Sequence, residues 1–187
     1  MGCWGITAME SDAGLDAVGF IREHLPENGT LELGTIVKDL QQDEWNKPAD
    51  TSNANSHTSP MALAEVMINF MDGNVAGMDY DGMKAEKENK FSAVTSFTAS
   101  RESVRWLRDY LCDTLNYAMR DAENGRKWGG WFQEKDWIGW QNHMETLIGR
   151  LDGVLAADGN SLVLFSTAQE AAMESKQTPS DSGMTMK

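Results

Sequence analysis

Two stretches decide the fold: SRESVRWLRDYLCDTLNYAMRDAE (residues 100–123) and EKDWIGWQNHMETLIGRLDGVLAA (residues 134–157). In the first, Val104, Leu107, Leu111, Leu115, Ala118 and Ala122 recur every three or four residues, the period that lines one face of an α-helix. In the second, Trp137, Trp140, Met144, Leu147, Leu151 and Val154 do the same. Ser100 stands where a side-chain oxygen caps a helix, and Gly125 and Gly159 stand where each helix must stop. At 1.5 Å per residue each helix spans about 36 Å. The short connection through residues 125–133 predicts an antiparallel hairpin.

Outward from this pair, residues 12–25 predict a helix capped by Asp12, with Leu15, Val18, Ile21, Phe20 and Leu25 apolar and Pro26 and Gly29 as the stop. Thr30 is placed to cap a second helix carrying Leu33, Ile36, Val37 and Leu40. Residues 46–59 are polar and aperiodic, a loop. Ser59-Pro60 starts a third helix running to Met71, with Leu63, Val66, Met67, Phe70 and Met71 inward. Residues 72–82 read as irregular, Met83–Lys90 as a polar helical turn, Phe91–Thr98 as strand-like in composition, and Ser161–Ser166 as a short apolar strand or extended segment. The expected fold is mainly α: a helical bundle of about five helices with a long antiparallel helical hairpin and one short β-strand or small hairpin. It forms a single domain over residues 1–166, followed by a flexible C-terminal tail, 167–187.

The 187 residues are 41% hydrophobic and 24% charged, with four prolines and two cysteines, Cys3 and Cys112. This excludes collagen, wholesale disorder and a disulfide scaffold, and it points to a reducing, cytoplasmic setting. Net charge is −13, from 29 acidic and 16 basic residues. Residues 1–60 alone carry 10 acidic and 3 basic side chains, whereas 101–166 are close to balance with 10 and 8. Such a surface repels phosphate backbones and anionic lipids, which speaks against direct nucleic-acid or membrane binding and suits a basic protein partner. No secretory signal and no apolar stretch of about 20 residues occurs.

Few residues carry recognisable chemistry. In the aspartate-rich segment Asp72–Gly82, Asp72, Asn74 and Gly77 match an EF-hand, but Ala76 and Met83 stand where oxygen ligands belong. Asp72, Asp79 and Asp81 are therefore candidates for a weak cation site within what otherwise reads as a solvated turn. His24, His57 and His143 lack zinc-site spacing and read as surface or helix-end residues, and Cys112 reads as packing. With no nucleophile elbow, P-loop or dinucleotide fingerprint, no catalytic residue and no cofactor is assigned. Trp128, Trp131, Phe132, Trp137 and Trp140 crowd into thirteen residues. They form either an aromatic platform for a partner, with Trp128, Trp131 and Trp137 as binding candidates, or a plug at one end of the bundle. Trp137 and Trp140 fall on the apolar stripe, which favours the plug.

The opening Met1-Gly2-x-Trp4-Gly5, followed by Glu10-x-Asp12-x-x-x-Asp16, resembles the start of a family of small bacterial proteins known as a domain of unknown function. The resemblance covers about the first 25 residues, with Met9 where that family carries an aromatic residue. It implies a bacterial cytosolic protein and no defined chemistry. In physical terms, Trp4 is expected to anchor the chain end in the core, with Gly2 and Gly5 passing close to its ring. Glu10, Asp12 and Asp16 gather at the positive end of the first helix. Trp4, Glu10, Asp12 and Asp16 are together a candidate small site.

These readings lead to a non-catalytic acidic protein-binding module, of inhibitor or immunity type, directed at a basic partner. The alternative is a small metal-dependent hydrolase or metal-binding protein using the N-terminal carboxylates. A DNA mimic is weaker, because the near-neutral stretch 101–166 interrupts any continuous acidic stripe.

Overall fold

The segment TSPMALAEVMINFM, residues Thr58–Met71, is apolar over most of its circumference and carries one charge, Glu65. A helix without a polar face belongs inside a fold. In the computed structural model, which describes residues 2–51, 58–79, 90–125 and 134–167, this helix has its first ten residues and Phe70 buried. The chain is mainly helical with a small sheet: α1 (Asp12–Glu23), β1 (Thr30–Glu32), α2 (Leu33–Gln42), α3 (Thr58–Met71), β2 (Ser96–Ser100), α4 (Arg101–Glu123), α5 (Trp137–Ala156) and β3 (Ser161–Ser166). Helix α3 touches α1, α4, α5 and β3, so the one-faced packing expected for it is replaced by a central position. Met61, Ala62 and Ala64 are buried beside the expected Leu63, Val66, Met67 and Phe70.

The sheet departs from the expected lone strand or hairpin. Its order is β1-β2-β3, with β1 parallel to β2 and β2 antiparallel to β3. Phe97 lies opposite Leu31 on one side and Phe165 on the other, and the register slips between Phe97 and Thr98. Phe70 of α3 meets Phe91, Phe97 and Phe165 at ring-centre distances of 6.1, 5.2 and 5.4 Å. These tilted, edge-on contacts suit the aromatic quadrupole and fix α3 against the sheet.

Three helix starts also shift. Thr30 does not cap α2 but opens β1. Gly29, at φ +69°, turns the chain, and its carbonyl accepts from Thr95 and Ser96, drawing Thr30 alongside β2. Glu32 takes over as the cap, its carboxylate accepting the Gly34 and Thr35 amides at 3.0 and 2.8 Å. Helix α3 begins at Thr58, with Ser59 and Pro60 inside its first turn. Ser11, not Asp12, caps α1, accepting from the Gly14 amide at 3.0 Å.

The long pair follows the periodicity closely. Ser100 caps α4 through the Ser103 amide. Arg101, at the start of α4, donates to the carbonyls of Leu155, Ala157 and Gly159 around the end of α5, and Arg108 meets Asp152 at 3.2 Å. The two helices therefore run in opposite directions there. The turn expected between them, the helical turn expected over 83–90 (except Lys90) and the tail beyond Thr167 lie outside the described residues. Among the described residues no helix is long and apolar enough to cross a membrane.

Phe70→Ala removes the ring that joins α3 to both flanking strands. We expect a loss of about 3–5 kcal/mol in urea-induced unfolding; a loss below about 1 kcal/mol would contradict this placement of the core.

Candidate functional site

Glu65 sits on the central helix with 6% of its surface exposed. An uncompensated carboxylate in such a place is costly, so its oxygens must find donors. They find three. The Ala8 and Met9 amides donate at 2.7 and 3.2 Å, and His143 of α5 places Nε2 2.8 Å from Oε1. The two amides open the short 3-10 turn Ala8–Glu10, whose first N–H groups have no partner within the turn and favour an anion. One carboxylate thus joins the N-terminal segment, α3 and α5. The expected surface or helix-end role of His143 gives way to a half-buried pairing with Glu65. Glu65 itself carries a signal in the sequence, as the single charge in an apolar helix.

The opening motif closes on itself around this point. The Gly2 amide donates to the Asp12 carboxylate at 2.6 Å, the Trp4 amide to the Glu10 carbonyl, and the Asp12 amide back to the Gly2 carbonyl. Glu10 accepts from the Ile6 and Thr7 amides at 2.9 and 3.0 Å. A Cβ on Gly14 would fall 1.7 Å from the Ala8 carbonyl, so that position needs glycine for close approach, and one on Gly5 would fall 2.2 Å from the Glu10 carboxyl group and displace it. The Thr7 amide, assisted by the Ile6 amide, the Thr7 hydroxyl and the field of His143, outweighs desolvation and holds the Glu10 carboxyl below its ordinary range. Burial foremost, with the nearby Asp136 and Glu10 charges, pushes the Cys3 thiol up despite an opposing backbone hydrogen bond at Gly5, so Cys3 is not an activated thiolate. Trp4 is 53% exposed and does not anchor the core. Fully buried Ala8, drawn in by Glu65, occupies that place instead.

The remaining candidates lie apart. Asp16 is exposed on α1 and lines a cleft of about 440 Å³ with Trp45, Lys47, Thr58 and Ser59. Trp45, which the sequence reading passes over, is 92% exposed. It sits in a turn built on Asp43, whose Oδ1 accepts the Trp45 amide at 3.0 Å, the Asn46 amide at 2.6 Å and the Asn46 side chain at 3.0 Å. These bonds, the Asn46 amide foremost, hold the Asp43 carboxyl below its ordinary range. Downstream, the Tyr110 hydroxyl donates to the Ala49 carbonyl at 2.7 Å and ties the segment to α4, while burial pushes that phenol's pKa up. The signal for Trp45 is a tryptophan directly after two acids, just past a helix end and off any apolar stripe.

Asp72 pairs with Arg150 of α5, with one contact at 3.1 Å, and Asp79 accepts the Phe91 and Ser92 amides at 2.8 and 3.0 Å. Asp81 lies outside the described residues. Among the described residues no group of three or more histidines, cysteines or acids is arranged to hold a metal ion. Trp137 is half-buried and stacks on fully buried Trp140 at 5.6 Å; Trp128 and Trp131 lie outside the described residues. Comparison with known proteins returns no match, whether to a family model, a curated protein or a solved structure.

Two outcomes follow from the acids. Glu65→Ala orphans two backbone amides and His143 and should cost about 3 kcal/mol or more of unfolding free energy; a loss under about 1 kcal/mol would contradict the bridge. Glu10, with its folded pKa depressed below the ordinary 4.5, adds stability that is present above that value and lost as pH falls through the lower folded one. The stability gap between wild type and Glu10→Gln should therefore be open at pH 7 and close below about pH 4.5. A gap that persists unchanged in acid would contradict it.

Proposed function

We propose that the chain is a non-catalytic, acidic protein-binding module, of inhibitor or immunity type, whose partner is a basic protein. The observation that carries this reading is how the acids divide. Glu10, Glu32, Glu65 and Asp79 serve backbone amides inside the fold. Asp12 accepts the Gly2 amide, whereas Asp16, Glu23, Glu27, Glu44 and Asp50 stand exposed in the first 60 residues, whose basic residues are Arg22, Lys38 and Lys47. The inward acids hold the structure, and the outward ones create a negative field over one part of the chain. Such a field raises the rate at which a complementary partner arrives and disfavours like-charged ones. The opening motif agrees with this, since the spacing among Gly2, Gly5, Glu10 and Asp12 is accounted for by bonds and close packing within the chain.

The test is to isolate the bound protein, purify it, and follow association by stopped flow across ionic strength. We expect a basic partner and an association rate that falls about tenfold or more between low salt and 0.5 M, as screening shortens the field to a few ångströms. A salt-independent rate, or an acidic partner, would overturn the proposal.

A further inference from the structure

An almost fully exposed tryptophan is unusual when the backbone under it is so firmly held. Leaving Trp45 in water forgoes the burial of roughly 200 Å² of mostly apolar ring, yet the Asp43 turn and the Tyr110–Ala49 bond fix the segment that presents it. The cleft beside it has an exposed carboxylate, Asp16, on one wall and the hydroxyl-bearing start of α3, Thr58 and Ser59, on another. Glu44, the residue before Trp45, is exposed, and the first 60 residues carry a surplus of acids. Among the described lining residues Lys47 is the basic group.

We propose that this cleft is the docking point for an arginine side chain of the partner, with the guanidinium plane on the Trp45 indole and its N–H groups directed to Asp16. This rests on the basic-partner reading above and names the surface. The chemistry selects the occupant. An indole face attracts a cation, and guanidinium combines a flat, weakly hydrated surface for stacking with donors matched to a carboxylate. A lysine ammonium supplies the charge but not the plane. A neutral aromatic partner would leave Asp16 without a counter-charge. Lys47 opposes the occupant and limits the affinity of a single arginine, so its removal should tighten binding.

The probe is the peptide acetyl-Gly-Arg-Gly-Arg-Gly-Arg-Gly-amide at low salt, with its citrulline counterpart as a neutral isostere. It is titrated into the full ¹⁵N-labelled chain while the tryptophan indole N–H resonances are followed. Trp45→Phe assigns the Trp45 signal, and unchanged melting temperatures show that the variants fold. We expect the arginine peptide to shift the Trp45 resonance and the citrulline peptide to leave it in place. Trp45→Ala and Asp16→Asn should each weaken binding about fivefold or more, and Lys47→Ala should tighten it. If the arginine peptide binds but spares Trp45, and Trp45→Ala binds as well as wild type, the cleft assignment is overturned while the basic-partner reading stands. If the peptide does not bind at all at low salt, both fail.

Discussion

The fold depends on one buried carboxylate. Glu65 lies in the middle of the central helix, and folding can proceed only if its desolvation is offset by donors that arrive from elsewhere in the chain. Those donors are the Ala8 and Met9 amides and the His143 ring, more than fifty residues away on either side. Satisfying the carboxylate therefore brings the N-terminal segment and α5 onto α3 together. Once Ala8 is seated, Ser11 both bonds its carbonyl and caps α1, and α1 packs along α3. The position of α1 in turn sets Asp16 against the start of α3. A polar requirement inside the core thus propagates to a feature on the surface.

The same economy recurs elsewhere in the chain. Glu10, Glu32, Asp43 and Asp79 each accept at least two backbone amides within short turns or at a helix start. A carboxylate in such a place satisfies orphan N–H groups and gains from the local dipole. Carboxylates can therefore stabilise a fold by serving its backbone amides. The charges that remain outside this work carry the proposed interaction.

Helices α4 and α5 were legible because their apolar residues keep one period from Val104 to Ala122 and from Trp137 to Val154, and the caps at Ser100 and near Gly125 agree with it. The sheet was much less legible. Strand β1 has three residues, too few for alternation to register, and its parallel pairing to β2 joins residues more than sixty apart. Thr30 carries the same helix-cap signal in either role, and Gly29 together with the sheet bonds decides between them. Trp4 was expected inside because tryptophan is large and apolar, but the short turn around Glu10 and Ala8 leaves its ring outside. Glu65 and His143 are seventy-eight residues apart, and only the tertiary packing brings them together. Glu65 could have been marked from sequence as a lone charge needing a partner, but the identity of the partner could not.

The most direct test of the central claim is native-state hydrogen exchange at the Ala8 and Met9 amides of the wild-type chain. If the Glu65 carboxylate locks the N-terminal segment onto α3, both amides exchange as slowly as those in the middle of α3, through unfolding of the core. If they exchange at the rate of a frayed chain end while α3 stays protected, the N-terminal segment is not held by Glu65, and the account of how this fold is tied together is wrong.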